Sequence, residues 1–244
     1  MNSTICLFDL DGTLTKSRNV IQNDMLEFLA KLQKQVKIGI VGGSDFAKIL
    51  EQLGGMDNLN KIEYVFSENG LIYHKNGELV CKTNIVEVLG EEALQNFINY
   101  SLQYLSRIVL PIKRGTFVEY RTGMINISPI GRNCSQTERD EFEKYDQVHK
   151  VRDKMIADLK GKFGNLGLSF AIGGQISFDV FPEGWDKRYA LRYVKDDFKT
   201  IHFFGDRTCE GGNDYAISHD ELVIGHPVTG PDDTRRQLSE LFGI

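Results

Sequence analysis

Ile5-Cys6-Leu7-Phe8-Asp9-Leu10-Asp11-Gly12-Thr13 decides the fold: four apolar residues run straight into two acids separated by a single leucine. A short, continuous apolar run ended by a glycine-containing turn reads as a buried strand. Side chains at i and i+2 of an extended chain share a side, so Asp9 and Asp11 converge where that strand ends. Open α/β sheets take their ligands at the carboxyl ends of parallel strands. There one carboxylate can attack phosphorus and form an aspartyl phosphate, while the other moves a proton to the leaving oxygen or from the attacking one. Two acids this close repel, so a hard cation such as Mg²⁺ is expected between them. A calcium loop and a solvated turn are the plainer readings. A calcium loop of the EF-hand type needs an acid or Asn at its fifth position and Gly at its sixth, where this chain has Thr13 and Leu14.

Working outward, Met25, Phe28, Leu29 and Leu32 fall on one face of a 3.6-residue repeat and predict a helix. A strand over 36–41 follows, then Gly42-Gly43-Ser44, then a second helical pattern with Phe46, Ile49, Leu50 and Leu53. Strand, helix, strand, helix is the rhythm of a parallel sheet with covering helices. A third strand is expected over 64–66, and a hairpin pairs 71–73 with 79–81 around Asn76-Gly77, a dipeptide that accepts positive φ at little cost.

The middle of the chain has another texture. A helix carrying Leu94, Phe97, Ile98, Leu102 and Leu105 precedes two alternating stretches, 116–121 and 124–128. Ser135-Gln136-Thr137-Glu138 fits a capping box, and 168–172 and 175–181 flank Gly173-Gly174 as a further hairpin. Parallel signals resume from Lys187, with one strand over 200–204 ending at Gly205-Asp206 and another over 222–224. The fold class is therefore α/β: a Rossmann-like parallel-sheet core, residues 1–81 and 187–244, interrupted by an α+β module over 82–186.

Composition narrows the function. The 244 residues carry a formal net charge of −5, which argues against a general nucleic-acid binder. No apolar run approaches the roughly 18 residues of a membrane span. Met1-Asn2-Ser3-Thr4 leads to the first strand without a signal peptide's charged head and apolar stretch. The four cysteines, Cys6, Cys81, Cys134 and Cys209, form no C-x-x-C pair, and a reducing cytosol is the simplest setting.

Three further pieces could meet the acid pair. Gly42-Gly43-Ser44, between a strand and a helix, offers backbone N–H groups, a hydroxyl and a positive helix end to a phosphate, and would serve equally as an ordinary cap. Lys187 could neutralise phosphate or sit in solvent. Gly205-Asp206 and then Gly211-Gly212-Asn213-Asp214 bring more acids; a surface turn explains the second string, but not why an acid follows another buried strand. In this order the four pieces resemble the haloacid dehalogenase superfamily of aspartate-dependent phosphotransferases. The resemblance implies Asp9 as nucleophile, Asp11 as acid/base, Ser44 on the transferring phosphoryl group and Lys187 balancing its charge. It also implies Mg²⁺ held by Asp9, Asp206 and the Asp11 carbonyl, with Asp214 beside them.

From Arg107 to Arg139 there are six Lys/Arg and two Glu, a local reversal in an acidic protein. Arg suits bidentate phosphate binding, although a solvated basic face is the bland alternative. Longer strings sharpen the resemblance: Val41-Gly42-Gly43-Ser44-Asp45, Ser67-Glu68-Asn69-Gly70, Lys113-Arg114-Gly115-Thr116-Phe117, Asn126-Ile127-Ser128-Pro129-Ile130-Gly131-Arg132, Gly173-Gly174-Gln175-Ile176-Ser177-Phe178-Asp179 and Gly184-Trp185-Asp186-Lys187-Arg188. Together they are similar to the eukaryotic-type phosphomannomutases over essentially the whole chain. That family implies a catalytic core, a cap that closes over the sugar phosphate, and a cytoplasmic homodimer joined through the caps. Position by position it implies Arg18, Arg121, Arg132, Arg139, Ser177 and Asp179 as substrate-binding residues, the three cap arginines on the distal phosphate. Arg207 stands where Lys is expected, and of the second cation loop only Asp220 is carried over.

The implied reaction interconverts mannose 6-phosphate and mannose 1-phosphate, supplying GDP-mannose synthesis. It proceeds through an aspartyl-phosphate enzyme and a hexose 1,6-bisphosphate intermediate that also serves as activator. A capped sugar-phosphate phosphatase, with water as acceptor, is the alternative. A binding protein that kept the fold is a third reading, against which the intact set of Asp9, Asp11, Ser44, Lys187 and Asp206 speaks.

Overall fold

The computed structural model describes residues 3–16 and 19–244. The chain forms two compact units, Met1–Lys82 with Gly184–Ile244, and Thr83–Glu183. The first holds strands β1 (Thr4–Phe8), β2 (Lys37–Val41), β3 (Tyr64–Ser67), β4 (Ile72–Lys75), β5 (Glu78–Lys82), β10 (Thr200–Gly205) and β11 (Val223–Pro227), ordered β11-β10-β1-β2-β3-β4-β5. The ladders from β11 through β3 are parallel, and β4 and β5 complete the sheet antiparallel.

β1 lies centrally and is buried on both faces, which is why it reads as an unbroken apolar run rather than an alternating one. Cys6 and Phe8 pack with Met25, Leu29 and Leu32 of helix α1 (Asn23–Leu32), while Ile5 and Leu7 pack with Tyr64, Phe66, Leu191 and Phe203 on the other side. Both central residues of the β4–β5 turn have positive φ, 51° at Asn76 and 80° at Gly77. This is the primed turn geometry that suits a two-residue hairpin, as the Asn-Gly signal predicts.

Two sequence expectations shift. The last strand starts at Val223 and runs to Pro227, rather than ending at Ile224. The segment after Asp186 is a 3-10 helix, Lys187–Tyr193, whose N-cap Asp186 accepts the Arg188 N–H at 2.9 Å. Its backbone packs so closely on Gly70 (φ +99°) that a Cβ there would lie 2.7 Å from the Ala190 nitrogen.

The second unit is built on an antiparallel sheet of order β6-β7-β9-β8, from β6 (Val118–Tyr120), β7 (Ile125–Ile127), β8 (Leu168–Gly173) and β9 (Ser177–Pro182). β6 and β7 are shorter than the alternating pattern predicts. The chain beyond them leaves the ladder where Thr116 takes φ 50° and Gly131 crosses Gly115, its absent Cβ only 2.2 Å from the Gly115 carbonyl oxygen. Ile125, Ile127, Phe178 and Val180 are buried on one face. That face is covered by α3 (Glu91–Arg107) and α5 (Val151–Phe163), whose Phe97 and Phe163 rings meet edge to face at 5.1 Å. Helix α4 (Gln136–His149) opens on the predicted capping box of Ser135 and Glu138. Among the described residues, no helix is long and apolar enough to cross a membrane.

One buried ion pair ties this unit together. Arg152 Nε donates to Asp146 Oδ2 at 2.6 Å, and its Nη1 donates to the carbonyls of Gly174 and Ser177 at 3.0 and 3.1 Å. Truncating one partner of a buried pair strands the other charge. Asp146→Ala is therefore expected to lose about 3–5 kcal/mol. Glu240→Ala, which breaks an exposed pair with Arg236, is expected to lose under about 1 kcal/mol. Urea unfolding compares the two, and equal losses would contradict the ranking.

Candidate active site

Asp9 is the first residue past β1, and its N–H donates to the Phe204 carbonyl of the neighbouring β10 at 2.9 Å. Lys187, 1% exposed, lies at the start of the 3-10 helix; its ammonium donates to Asp9 and, at 2.5 Å, to Asp214 Oδ1. Asp214 is wholly buried, and its other oxygen accepts the Arg207 N–H at 3.1 Å. Asp206 follows β10 and completes a trio in which Asp9, Asp206 and Asp214 each bring a carboxylate oxygen within 4.8 Å of the others. Two glycines make this approach possible. A Cβ on Gly12 (φ +76°) would sit 2.3 Å from Asp206 Oδ2, and one on Gly205 would sit 2.6 Å from Asp214 Oδ2.

Asp9, Asp206 and Asp214 gather around the buried Lys187 ammonium. Burial pushes the Asp9 carboxyl up to about 6; the Lys187 ammonium pulls it back and the Asp214 charge adds to the rise. Asp206 is raised by burial and then by Asp214. Burial disfavours the charged Lys187, but Asp9 and Asp214 outweigh it and hold the ammonium above its ordinary value. The donors are all oxygen, converge within one cation's reach and carry surplus negative charge. This set fits a hard divalent cation.

Asp11 projects into the same space, with Oδ1 accepting from Gln52 Nε2 at 2.7 Å. The turn that carries it is closed by Thr15, whose N–H and hydroxyl both donate to the Leu10 carbonyl, and is pinned by the Thr234 hydroxyl on the Thr13 carbonyl at 2.8 Å. A cavity of about 330 Å³ is lined by Asp9, Asp11, Ser44, Gln52, Asp206 and Arg207, among others. Ser44 is there, but the helix end is not what the loop offers. α2 (Phe46–Gln52) starts two residues later and is capped by Asp45, which takes the Lys48 N–H at 2.8 Å. What remains for a phosphate is the Ser44 hydroxyl and the glycine backbone. An acid pair, one carboxylate beside a buried lysine and the other oriented by an amide, is equipped for attack on phosphorus with proton transfer.

In the second unit the cap residues form one network. Glu119, Asn126 and Asp179 are directly opposite one another across β6, β7 and β9, so they share a face. Asn126, buried, donates to Ser177 Oγ at 3.1 Å and Asp179 Oδ1 at 2.7 Å, and accepts from Arg132 Nη1 at 2.6 Å. Arg121 donates to Glu119 Oε2 through Nε and Nη2 at 2.8 and 2.6 Å, and Arg132 Nε reaches that oxygen at 3.3 Å. Arg139 Nη2 donates to the Arg132 carbonyl at 2.9 Å. The structure thus gathers Arg121, Arg132, Arg139, Ser177 and Asp179. Arg18 lies outside the described residues. Asp220 is not brought to the acid trio: it accepts the Leu222 N–H at 3.0 Å and lines a separate hollow with Arg188 and Arg192. Sequence reading missed Gln52 and Glu119. Glu119 had a signal, since it stands two residues before Arg121 in the alternating stretch 116–121, where i and i+2 share a face.

This core, with an acid pair after its first strand and an α+β unit inserted, is a haloacid dehalogenase-type fold. A solved Streptococcus mutans structure shares the fold, with a TM-score of 0.67 at 12% identity, covering 98% of this chain and 99% of that one. The sequence model of the eukaryotic phosphomannomutases matches residues 25–244. A phosphomannomutase of Dendrobium officinale is 59% identical over 242 residues, 99% of this chain and 95% of the relative. Phosphomannomutase 1 of Dictyostelium discoideum is 58% identical over 242 residues, 98% and 97% of the two chains. The chain belongs to the eukaryotic phosphomannomutase family.

Because folding raises the Asp9 value from 3.8 to about 6, its ionised form opposes folding. The stability it contributes is complete below about pH 4 and is lost as pH rises through about 6. Asp9→Asn leaves Lys187 paired with Asp214 and removes that loss. In metal-free protein the variant is expected to gain stability on wild type at pH 7 and almost none at pH 4. Thermal melts at both pH values check this; a destabilised variant at pH 7 would contradict it.

Proposed function

We propose that this chain interconverts mannose 6-phosphate and mannose 1-phosphate, the latter feeding GDP-mannose synthesis, through a phosphorylated Asp9 and a hexose 1,6-bisphosphate intermediate. The observation that carries this reading is that one chain has both an acid-pair site in its core unit and an arginine cluster in its Thr83–Glu183 unit. A phosphatase acting on one phosphate needs one anion site. Two anion sites suit a bisphosphate that is held first one way and then turned end for end.

In this mechanism an Asp9 oxygen attacks phosphorus of the bisphosphate and receives the phosphoryl group. Asp11 protonates the departing sugar oxygen. When the monophosphate presents its free hydroxyl, Asp11, held by Gln52, takes the proton as that oxygen attacks the aspartyl phosphate. Lys187 and the Ser44 hydroxyl bear on the transferring group's oxygens. Asp9, Asp206 and the Asp11 carbonyl would hold Mg²⁺, with Asp214 beside them, and the ion would offset charge on the phosphoryl oxygens. Arg121, Arg132 and Arg139 take the distal phosphate, and Ser177 and Asp179 face the sugar hydroxyls. The reading includes a homodimer joined through the Thr83–Glu183 unit, supported by the exposed apolar side chains of Leu102, Val109 and Val148 on that unit.

The test mixes protein, Mg²⁺ and mannose 1-phosphate with and without glucose 1,6-bisphosphate, following mannose 6-phosphate and free phosphate together. Activator-dependent isomer with little free phosphate is expected; stoichiometric free phosphate without isomer would overturn the reading in favour of a phosphatase. Gln52→Leu removes the amide that holds Asp11 Oδ1 and is expected to lower kcat by about 10- to 100-fold with KM nearly unchanged. An unchanged kcat would remove Gln52 from the mechanism.

A further inference from the structure

An anion site with a carboxylate on its arginines calls for an explanation. One oxygen of Glu119, Oε2, accepts two N–H groups of Arg121 at 2.8 and 2.6 Å and lies 3.3 Å from Arg132 Nε. These are two of the three arginines assigned above to the distal phosphate, and this inference rests on that assignment. Glu119 lies within β6, opposite Asn126 by cross-strand register, and Arg121, the first residue past the strand, turns its guanidinium back onto it. The acid is therefore set into the cluster by the sheet itself, not by a loop.

The pair is open to water: the side chains of Glu119, Arg121 and Arg132 are 36%, 38% and 29% exposed. Ion pairs this exposed are weak. A phosphate dianion offers three oxygens, fits both guanidinium forks and carries more charge than one carboxylate, so it displaces Glu119 from them. Before binding, Glu119 keeps the forks extended and paired. Displaced, it would stand close by as a like charge and return to the forks when the phosphate leaves.

We propose that Glu119 is an exchangeable counter-anion that sets how tightly the arginine cluster grips a sugar phosphate. Holding the grip down serves a bisphosphate that must let go of one site, turn, and bind again. Without the acid, the cluster gains net positive charge and binds phosphate more tightly.

The experiment measures mannose 1-phosphate and glucose 1,6-bisphosphate binding by calorimetry on the full chain, in an Asp9→Asn background that stops turnover. Adding Glu119→Gln is expected to lower both Kd values about three- to tenfold. In the turnover-competent chain, the same substitution lowers KM together with kcat. Glu119→Ser is a second variant with the same predicted direction, should the glutamine variant fold poorly. Unchanged or weaker binding would overturn the inference and make Glu119 a prop that orients Arg121. Arg132→Gln separates this from the assignment beneath it. If Arg132→Gln weakens binding while Glu119→Gln does not tighten it, the counter-anion role alone fails. If Arg132→Gln leaves both Kd values unchanged, the distal-phosphate assignment fails and this inference with it.

Discussion

The fully buried ammonium of Lys187, held between Asp9 and Asp214, is the interaction on which the core unit turns. A lysine is taken out of water only where acids and hydrogen bonds compensate it, and here those acids come from segments far apart in sequence. Asp9 follows the central strand, Asp214 sits on the loop after β10, and Lys187 opens a 3-10 helix docked on Gly70. One cation therefore draws three segments to one point. Asp206 adds a third carboxylate beside Asp9 and Asp214, and this gathering of acids is what suits the point to a cation and a phosphoryl group.

Stability and function pull in opposite directions at that point. Asp9 is buried enough that its charged form is disfavoured, yet attack on phosphorus needs the carboxylate. Strain of this kind persists where surrounding structure over-determines the geometry. The parallel ladders on both sides of β1 and the closed turn from Leu10 to Thr15 supply that constraint. The cap unit shows a milder version: a polar row laid across an antiparallel sheet, with an acid among the arginines at one end.

Much of this was legible in the residues. The apolar run ending in Asp9-Leu10-Asp11, the Asn76-Gly77 turn and the Ser135–Glu138 capping box are local signals, and local chemistry decides them. At Gly42-Gly43-Ser44 the residues allow either Ser44 or Asp45 as the cap of the following helix, and the structure has Asp45. Gln52 stands 41 residues from Asp11; no local pattern links them, since only the packing of α2 beside the catalytic turn brings the amide to the carboxylate. Asp220 came from a loop that matches its family poorly, and the chain folds that acid back onto its own turn. The 3-10 winding after Asp186 likewise depends on the close approach at Gly70, a contact across the fold.

The central claim is that the phosphate on the product is not the one that arrived on the substrate. A single-turnover experiment tests it directly: phosphorylate the enzyme with unlabelled glucose 1,6-bisphosphate, add mannose 1-phosphate carrying ³²P, and quench in acid. The account predicts that first-turnover mannose 6-phosphate is unlabelled while the label sits on the bisphosphate and then on Asp9. Label in the first-turnover mannose 6-phosphate, or released at once as free phosphate, would contradict it.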